Sequence, residues 1–140
     1  MMAQARHVRG ILDTSTVILL SHMKDPAFLP EEPLITVITL AELTVGPLVS
    51  TSDEERATRQ AHLQQAEADF EPLPFDASAA RAFGQVAASL RRSGRKTTAR
   101  SYDAMIAAIA IANELPLYTC NPADFAGIAG LDVVAVPVPS

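Results

Sequence analysis

The chain has 140 residues, enough for one domain with a full core, and 49% of them are hydrophobic, which excludes a disordered chain. A net charge of −5 is wrong for a general nucleic-acid binder, yet it leaves an enzyme open, because a bound metal would reverse the local charge of an acidic site. The aromatic share is only 5% and Cys120 is the single cysteine, so Ala, Val, Ile and Leu must build the core and no intrachain disulfide is possible. Residues 1–10 carry Arg6 and Arg9 but no apolar segment ahead of a cleavage site, and the longest apolar run, residues 104–113, is too short for a membrane span. The expectation is one soluble, cytoplasmic domain over residues 1–140, with residues 1–7 flexible.

In chain order, residues 8–12 read as a buried strand ending at Asp13, and residues 14–23 as a helix. Residues 24–33, with three prolines, read as a loop, and residues 34–38 as a second strand. A helix is expected from Thr39 until Gly46-Pro47 stops or bends it. Residues 52–69 are polar, with Ser52 as a cap and Asp53, Glu54 and Glu55 in the first turn, so a solvent-facing helix is expected. Residues 71–75 hold two prolines and can be at best an edge strand. Asp76 can cap the next helix, on which Ala79, Phe83, Val86, Ala87 and Leu90 share one face until Ser93-Gly94 ends it. Residues 101–113 are apolar on nearly every side and read as a buried helix. A short strand over 117–119, a helical turn over 121–126 and a last strand over 132–136 complete the chain. Strands alternating with helices imply a parallel sheet covered on both faces, with ligands bound beyond the strands' C-terminal ends.

Four acids fall near that rim. Asp13 follows the first strand, Glu42 lies four residues past the second, Asp103 opens the buried helix, and Asp124 lies five residues after Thr119. Crowded carboxylates repel one another and resist desolvation, and a hard divalent cation removes that penalty. Mg²⁺ or Mn²⁺ prefers oxygen donors, lowers the pKa of a bound water and stabilises charge on phosphate. Without His or Cys at ligand spacing, zinc does not fit. Each acid also has a purely structural reading. Thr39-x-x-Glu42 matches a capping box, Asn121-Pro122-Ala123-Asp124 is helix-start chemistry, Asp13 can cap a helix, and Asp103 can sit at a helix dipole. Asp103 is the hardest to explain that way, because it leads into an otherwise apolar helix.

The strings Ile11-Leu12-Asp13-Thr14-Ser15, Thr39-Leu40-Ala41-Glu42-Leu43 with Gly46, Asp103-Ala104-Met105-Ile106-Ala107-Ala108, and Leu117-Tyr118-Thr119-Cys120-Asn121-Pro122-Ala123-Asp124-Phe125 resemble a PIN domain. More narrowly they resemble the VapC toxins of type II toxin–antitoxin pairs, from about Val8 to Val136. The resemblance implies a three-layer α/β/α fold with a five-stranded parallel sheet. It implies a Mg²⁺- or Mn²⁺-dependent endoribonuclease that cuts structured RNA such as tRNA or rRNA, a homodimer, and a cognate VapB-type antitoxin. The family's acids carry over onto Asp13, Glu42, Asp103 and Asp124. Asp13 and Asp103 are expected to touch the metal directly, and Glu42 and Asp124 directly or through water. Ser15, Thr119 and Asn121 are expected to fix carboxylate rotamers.

Arg91, Arg92, Arg95, Lys96 and Arg100 supply five of the eleven basic residues, just ahead of Asp103. Arg92, Arg95, Lys96 and Arg100 are read as RNA contacts, Arg100 foremost; the alternative is a solvated helix end favoured by the dipole. His7, His22 and His62 pair with no nucleophile, and Cys120 has no evident base. A haloacid-dehalogenase-type phosphatase needs a second Asp where Ser15 stands, and a receiver domain needs a late-strand Lys that residues 117–121 lack. A protein that grips RNA or a partner without cutting, and a housekeeping RNA-processing nuclease, stay as alternatives.

Overall fold

The apolar run closed by Asp13 forms the inner strand around which everything else is hung. The computed structural model describes residues 8–96 and 100–139. The expectation for residues 1–7, and Thr97, Thr98 and Ala99 of the basic string, lie outside them. The parallel sheet has four strands, β1 (Arg9–Leu12), β2 (Glu32–Leu34), β3 (Leu117–Thr119) and β4 (Val133–Ala135), in the order β2-β1-β3-β4. Among the described residues five α-helices accompany it: α1 (Thr14–Leu19), α2 (Val37–Leu48), α3 (Asp53–Asp69), α4 (Ala77–Arg92) and α5 (Ser101–Ala112).

The fifth strand expected from the family resemblance is reduced to a single bridge. Leu73 donates its N–H to the Ile35 carbonyl and accepts from the Val37 N–H, both at 2.9 Å, and pairs in parallel with Thr36. Pro72 and Pro74 flank it and have no N–H to donate, so the ladder cannot lengthen. The expectation of an edge element over 71–75 therefore holds, but the described sheet has four strands.

Two further boundaries move. β2 ends at Leu34 and the next helix starts at Val37, so the residues read as strand over 34–38 straddle a strand end and a helix start. The cap is Thr36, whose hydroxyl accepts from the Thr39 N–H at 3.2 Å. Thr39 is thus already helical, its capping box with Glu42 is not formed, and Glu42 sits in the second turn of α2, not the first. The helix after Asp13 ends at Leu19 and continues as a 3₁₀ turn over Leu20–His22. The caps Asp13, Ser52 and Asp76 all form as expected.

Strand alternation sorts the core into two layers. Ile11 and Leu117 face α4 and α5, where Val86, Leu90, Ile106 and Ile109 are buried together with Phe125 of the 3₁₀ turn Pro122–Phe125. Leu12 and Tyr118 face the other way, towards Val17, Leu43 and Ala66 of α1, α2 and α3. The middle of α5 is closed off from solvent: Ala104, Ile106, Ala107, Ala108, Ile109 and Ala110 are each 0% exposed, whereas Tyr102 in its first turn is exposed. Its alanines let α4 and the sheet approach closely, which an aromatic-poor core requires. The α/β/α layering is as expected.

Gly10 shows how tight the inner strand is. A Cβ there would stand 2.6 Å from Cε1 and 2.7 Å from Cδ1 of the buried Tyr118 ring. Gly10→Ala is expected to destabilise the fold by about 1–3 kcal/mol, the usual cost of overpacking. A urea midpoint equal to the wild type's would show that the ring has room to shift.

Candidate active site

Parallel topology puts the C-terminal ends of β1 and β3 side by side, and helix N-termini on the same rim. Asp13 leaves β1 as the N-cap of α1, with its own N–H donating to the Tyr118 carbonyl at 3.3 Å. Its carboxylate is buried, 4% exposed, and ringed by donors. Oδ1 accepts from the Thr16 N–H at 3.1 Å and from the Thr16 hydroxyl in a short hydrogen bond. Oδ2 accepts from the Thr119 hydroxyl at 2.7 Å and from Ser15 Oγ at 3.1 Å. Thr119, the last residue of β3, in turn accepts from the Asn121 N–H at 2.9 Å, and Asn121 Nδ2 donates to Ser15 Oγ at 3.0 Å. The three polar residues expected beside the acids are therefore gathered at Asp13, two directly and Asn121 through Ser15.

Glu42 is half-buried on α2 and held by a threonine relay. Thr14 Oγ1 donates to Glu42 Oε1 at 2.6 Å and lies 2.9 Å from Thr39 Oγ1. Thr14 has one hydroxyl proton and spends it on the carboxylate, so Thr39 must be the donor to Thr14. Burial and the charge of Asp13 push the Glu42 carboxyl above its ordinary value, while the Thr14 hydrogen bond pulls it down. Thr14 and Thr16 are not among the candidate site residues of the sequence, and Thr39 enters there only as a helix cap. The available signal was the unbroken hydroxyl run Thr14-Ser15-Thr16 behind Asp13.

Asp103 stands in the first turn of α5 and Asp124 in the 3₁₀ turn Pro122–Phe125. Burial, then the charges of Asp124, Glu42 and Asp13, push the Asp103 carboxyl up to about 6 from an ordinary 3.8; Arg100 opposes them. All three other acids act on Asp103, so the four occupy one electrostatic neighbourhood. Arg100 Nη1 lies 2.7 Å from Asp124 Oδ1 and 3.9 Å from Asp103 Oδ2. The remaining basic residues divide. Arg92 and Lys96 are exposed, whereas Arg95 is half-buried and turns inward onto the carbonyls of Ala123 and Asp124 at 2.9 and 3.3 Å.

Among the described residues no three acids, histidines or cysteines are already drawn round one point at ligand distance. The donor set nevertheless suits a hard divalent cation: four carboxylates and no soft ligand, their mutual repulsion unrelieved by a single guanidinium. Neither the two-Asp phosphatase nor the receiver arrangement is present, since Ser15 hydrogen-bonds Asp13 and no lysine follows β3.

A family model described as PIN domain matches residues 11–131. The chain is similar to Ribonuclease VapC5 of Mycobacterium tuberculosis, 40% identical over 129 residues that span 91% of this chain and 93% of the relative. It is 31% identical to Ribonuclease VapC4 of the same organism over 130 residues, 91% of this chain and 97% of the relative. Among solved structures it matches the crystal structure of a member of the VapBC family of toxin–antitoxin systems, VapBC-5, from Mycobacterium tuberculosis. That match has a TM-score of 0.79 and 38% identity, covering 92% of this chain and 99% of the other.

The raised Asp103 carboxyl has a consequence for stability. The folded chain holds that proton more tightly than the unfolded one, so stability falls as pH rises from about 4 to about 6, and the full loss is present above that window. Asp103→Asn is expected to stabilise the metal-free protein at neutral pH by about 1–2 kcal/mol, allowing for the solvent-exposed part of the side chain. Over the same window the variant should also lose part of the wild type's pH dependence. Denaturation of both proteins across pH checks it; parallel curves would show that Asp103 carries no such charge penalty.

Proposed function

The chain belongs to the PIN-domain family, and from that premise we propose that its acidic rim cuts structured RNA with the help of Mg²⁺ or Mn²⁺. The protein is an endoribonuclease toxin, and its partner is an antitoxin of the VapB kind. The observation that carries the catalytic reading is geometric: at the C-terminal edge of a parallel sheet Asp13 is ringed by hydroxyl donors, Thr14 beside it holds Glu42, and Arg100 lies between Asp103 and Asp124. A shallow groove lined by Ile18, Val45 and Val49 opens beside Glu42 and supports the partner reading, because exposed apolar side chains next to a polar site mark interaction surfaces. Among the described residues no helix is long and apolar enough to cross a membrane.

Asp13 and Asp103 would hold the ion, Asp13 with its orientation fixed in advance by Thr16, Ser15 and Thr119. When bound, a divalent ion lowers the pKa of a water and stabilises charge building on the phosphate. Glu42 and Asp124 orient the attacking water and take its proton. Glu42 suits this role because burial and Asp13 raise its proton affinity while Thr14 fixes its rotamer. In-line attack on phosphorus then leaves a 5′-phosphate and a 3′-hydroxyl. Arg92, Lys96 and Arg100 supply positive charge along the approach to Asp103, and phosphates are the groups they would track.

On total RNA, purified antitoxin-free protein is expected to cut with Mg²⁺ or Mn²⁺ and to stop when the ion is chelated. Asp13→Asn and Asp103→Asn should each lower the rate by at least about 100-fold, beyond what loss of a supporting group alone costs. Equal cutting by wild type and variants would overturn the site assignment. Binding to RNA with no cutting under any metal condition would instead favour a protein that grips without cleaving.

A further inference from the structure

The 3₁₀ turn that carries Asp124 is too short to hold itself in place: four residues, with no side-chain cap. Phe125 buries one end of it in the core, and the end of α4 holds its backbone at Ala123 and Asp124. The Arg95 guanidinium donates to the Ala123 carbonyl at 2.9 Å and to the Asp124 carbonyl at 3.3 Å. Its own N–H returns to the Leu90 carbonyl at 2.9 Å, so Arg95 is anchored to the helix it leaves. Two neighbours on the same helix end meet the loop that follows, one by a hydrogen bond and one by close packing. Ser89 Oγ, nearly buried, accepts from the Ala129 N–H at 3.3 Å. Gly127, at φ +83°, lies so close to Ser93 that a Cβ would stand 2.4 Å from Ser93 Oγ.

We infer that Arg95 is a positioning residue for Asp124, the central member of a clamp in which Ser89, Ser93 and Arg95 hold the loop over residues 123–129. A guanidinium presents two N–H groups in one rigid plane to these two adjacent carbonyls, a fixed geometry that an ammonium on a flexible stem does not impose. The guanidinium's positive charge also suits the C-terminal carbonyls of a helical turn. Arg95 therefore leaves the set of RNA contacts; Lys96 remains in it, as does Arg92, which is exposed but spends one donor on Ser89 Oγ at 3.2 Å. Arg95 and Arg100 act on the same acid from two sides, one on its backbone and one on its carboxylate.

The inference rests on the nuclease reading for its kinetic consequence but not for its structural one. Arg95→Lys keeps the charge and loses the paired donors; Arg95→Gln loses both. Hydrogen exchange over residues 123–129 of the full chain, without metal or RNA, is expected to speed up in both variants. With RNA, both should lose about 10–100-fold in kcat. KM and the salt slope of RNA binding should stay as in the wild type. Lys96→Gln, as a phosphate contact, should instead reduce the salt slope by about one. Unchanged exchange in Arg95→Lys would overturn the clamp. So would wild-type turnover in Arg95→Lys combined with a raised KM and a reduced salt slope in Arg95→Gln, the pattern of a phosphate contact. If the wild type cuts no RNA, the nuclease reading falls, and the exchange measurement still decides the clamp.

Discussion

The arrangement depends first on one buried carboxylate. Asp13 terminates the inner strand, caps α1 and receives the Thr119 hydroxyl from the neighbouring strand, so one side chain ties β1, α1 and β3 together. A buried charge is tolerable only if its oxygens are satisfied, and charge-assisted hydrogen bonds are the strongest available means. Thr16 contributes both its N–H and its hydroxyl, and that hydroxyl also accepts from the Cys120 N–H at 3.0 Å. The polar lattice around Asp13 therefore sets the register between the first and third strands as much as any apolar contact does. It also orients the carboxylate before any ligand arrives.

Asp103 is the contrast. It sits at a helix N-terminus, which favours a negative charge, yet burial and three neighbouring acids outweigh the dipole and the partial help of Arg100. A dipole contributes about 0.3–1 kcal/mol at such a position, too little against several like charges in a half-buried cleft. The same cluster thus contains one acid whose charge is well compensated and one whose charge is not. That division is what a site for a divalent ion needs: a fixed ligand, and a local excess of negative charge relieved only when a cation arrives.

Much of this was legible because local chemistry and tertiary role coincide. Asp13, Ser52 and Asp76 are good caps and do cap. The apolar all-round pattern of α5 can be stable only inside. The reading failed where two local signals compete. Thr36 and Thr39 are both plausible caps before an apolar run, and β-branched residues on either side hide the strand end. Only the packing of Ile35 into the core and its pairing with Leu73 choose Thr36. The Thr39–Thr14–Glu42 relay was equally hidden, since it joins α1 to α2 across 28 residues of sequence. Among the basic residues, composition marked a cluster but could not tell outward arginines from inward ones. That distinction comes from where the 3₁₀ turn of Asp124 lands against α4.

The direction of the arginines also resolves an apparent conflict between an acidic chain and a polyanionic substrate. Net charge is a poor guide when the charges are segregated. Asp13, Glu42, Asp103 and Asp124 are concentrated on one rim, and Arg100 already offsets part of their field at 2.7 Å from Asp124. Arg92 and Lys96, by contrast, are exposed and form no ion pair among the described residues. A monovalent guanidinium cannot neutralise four carboxylates, however, and the raised Asp103 records the deficit. Four carboxylates and one guanidinium leave the rim with a net negative charge, the condition under which a hard cation is a better partner than a further side chain.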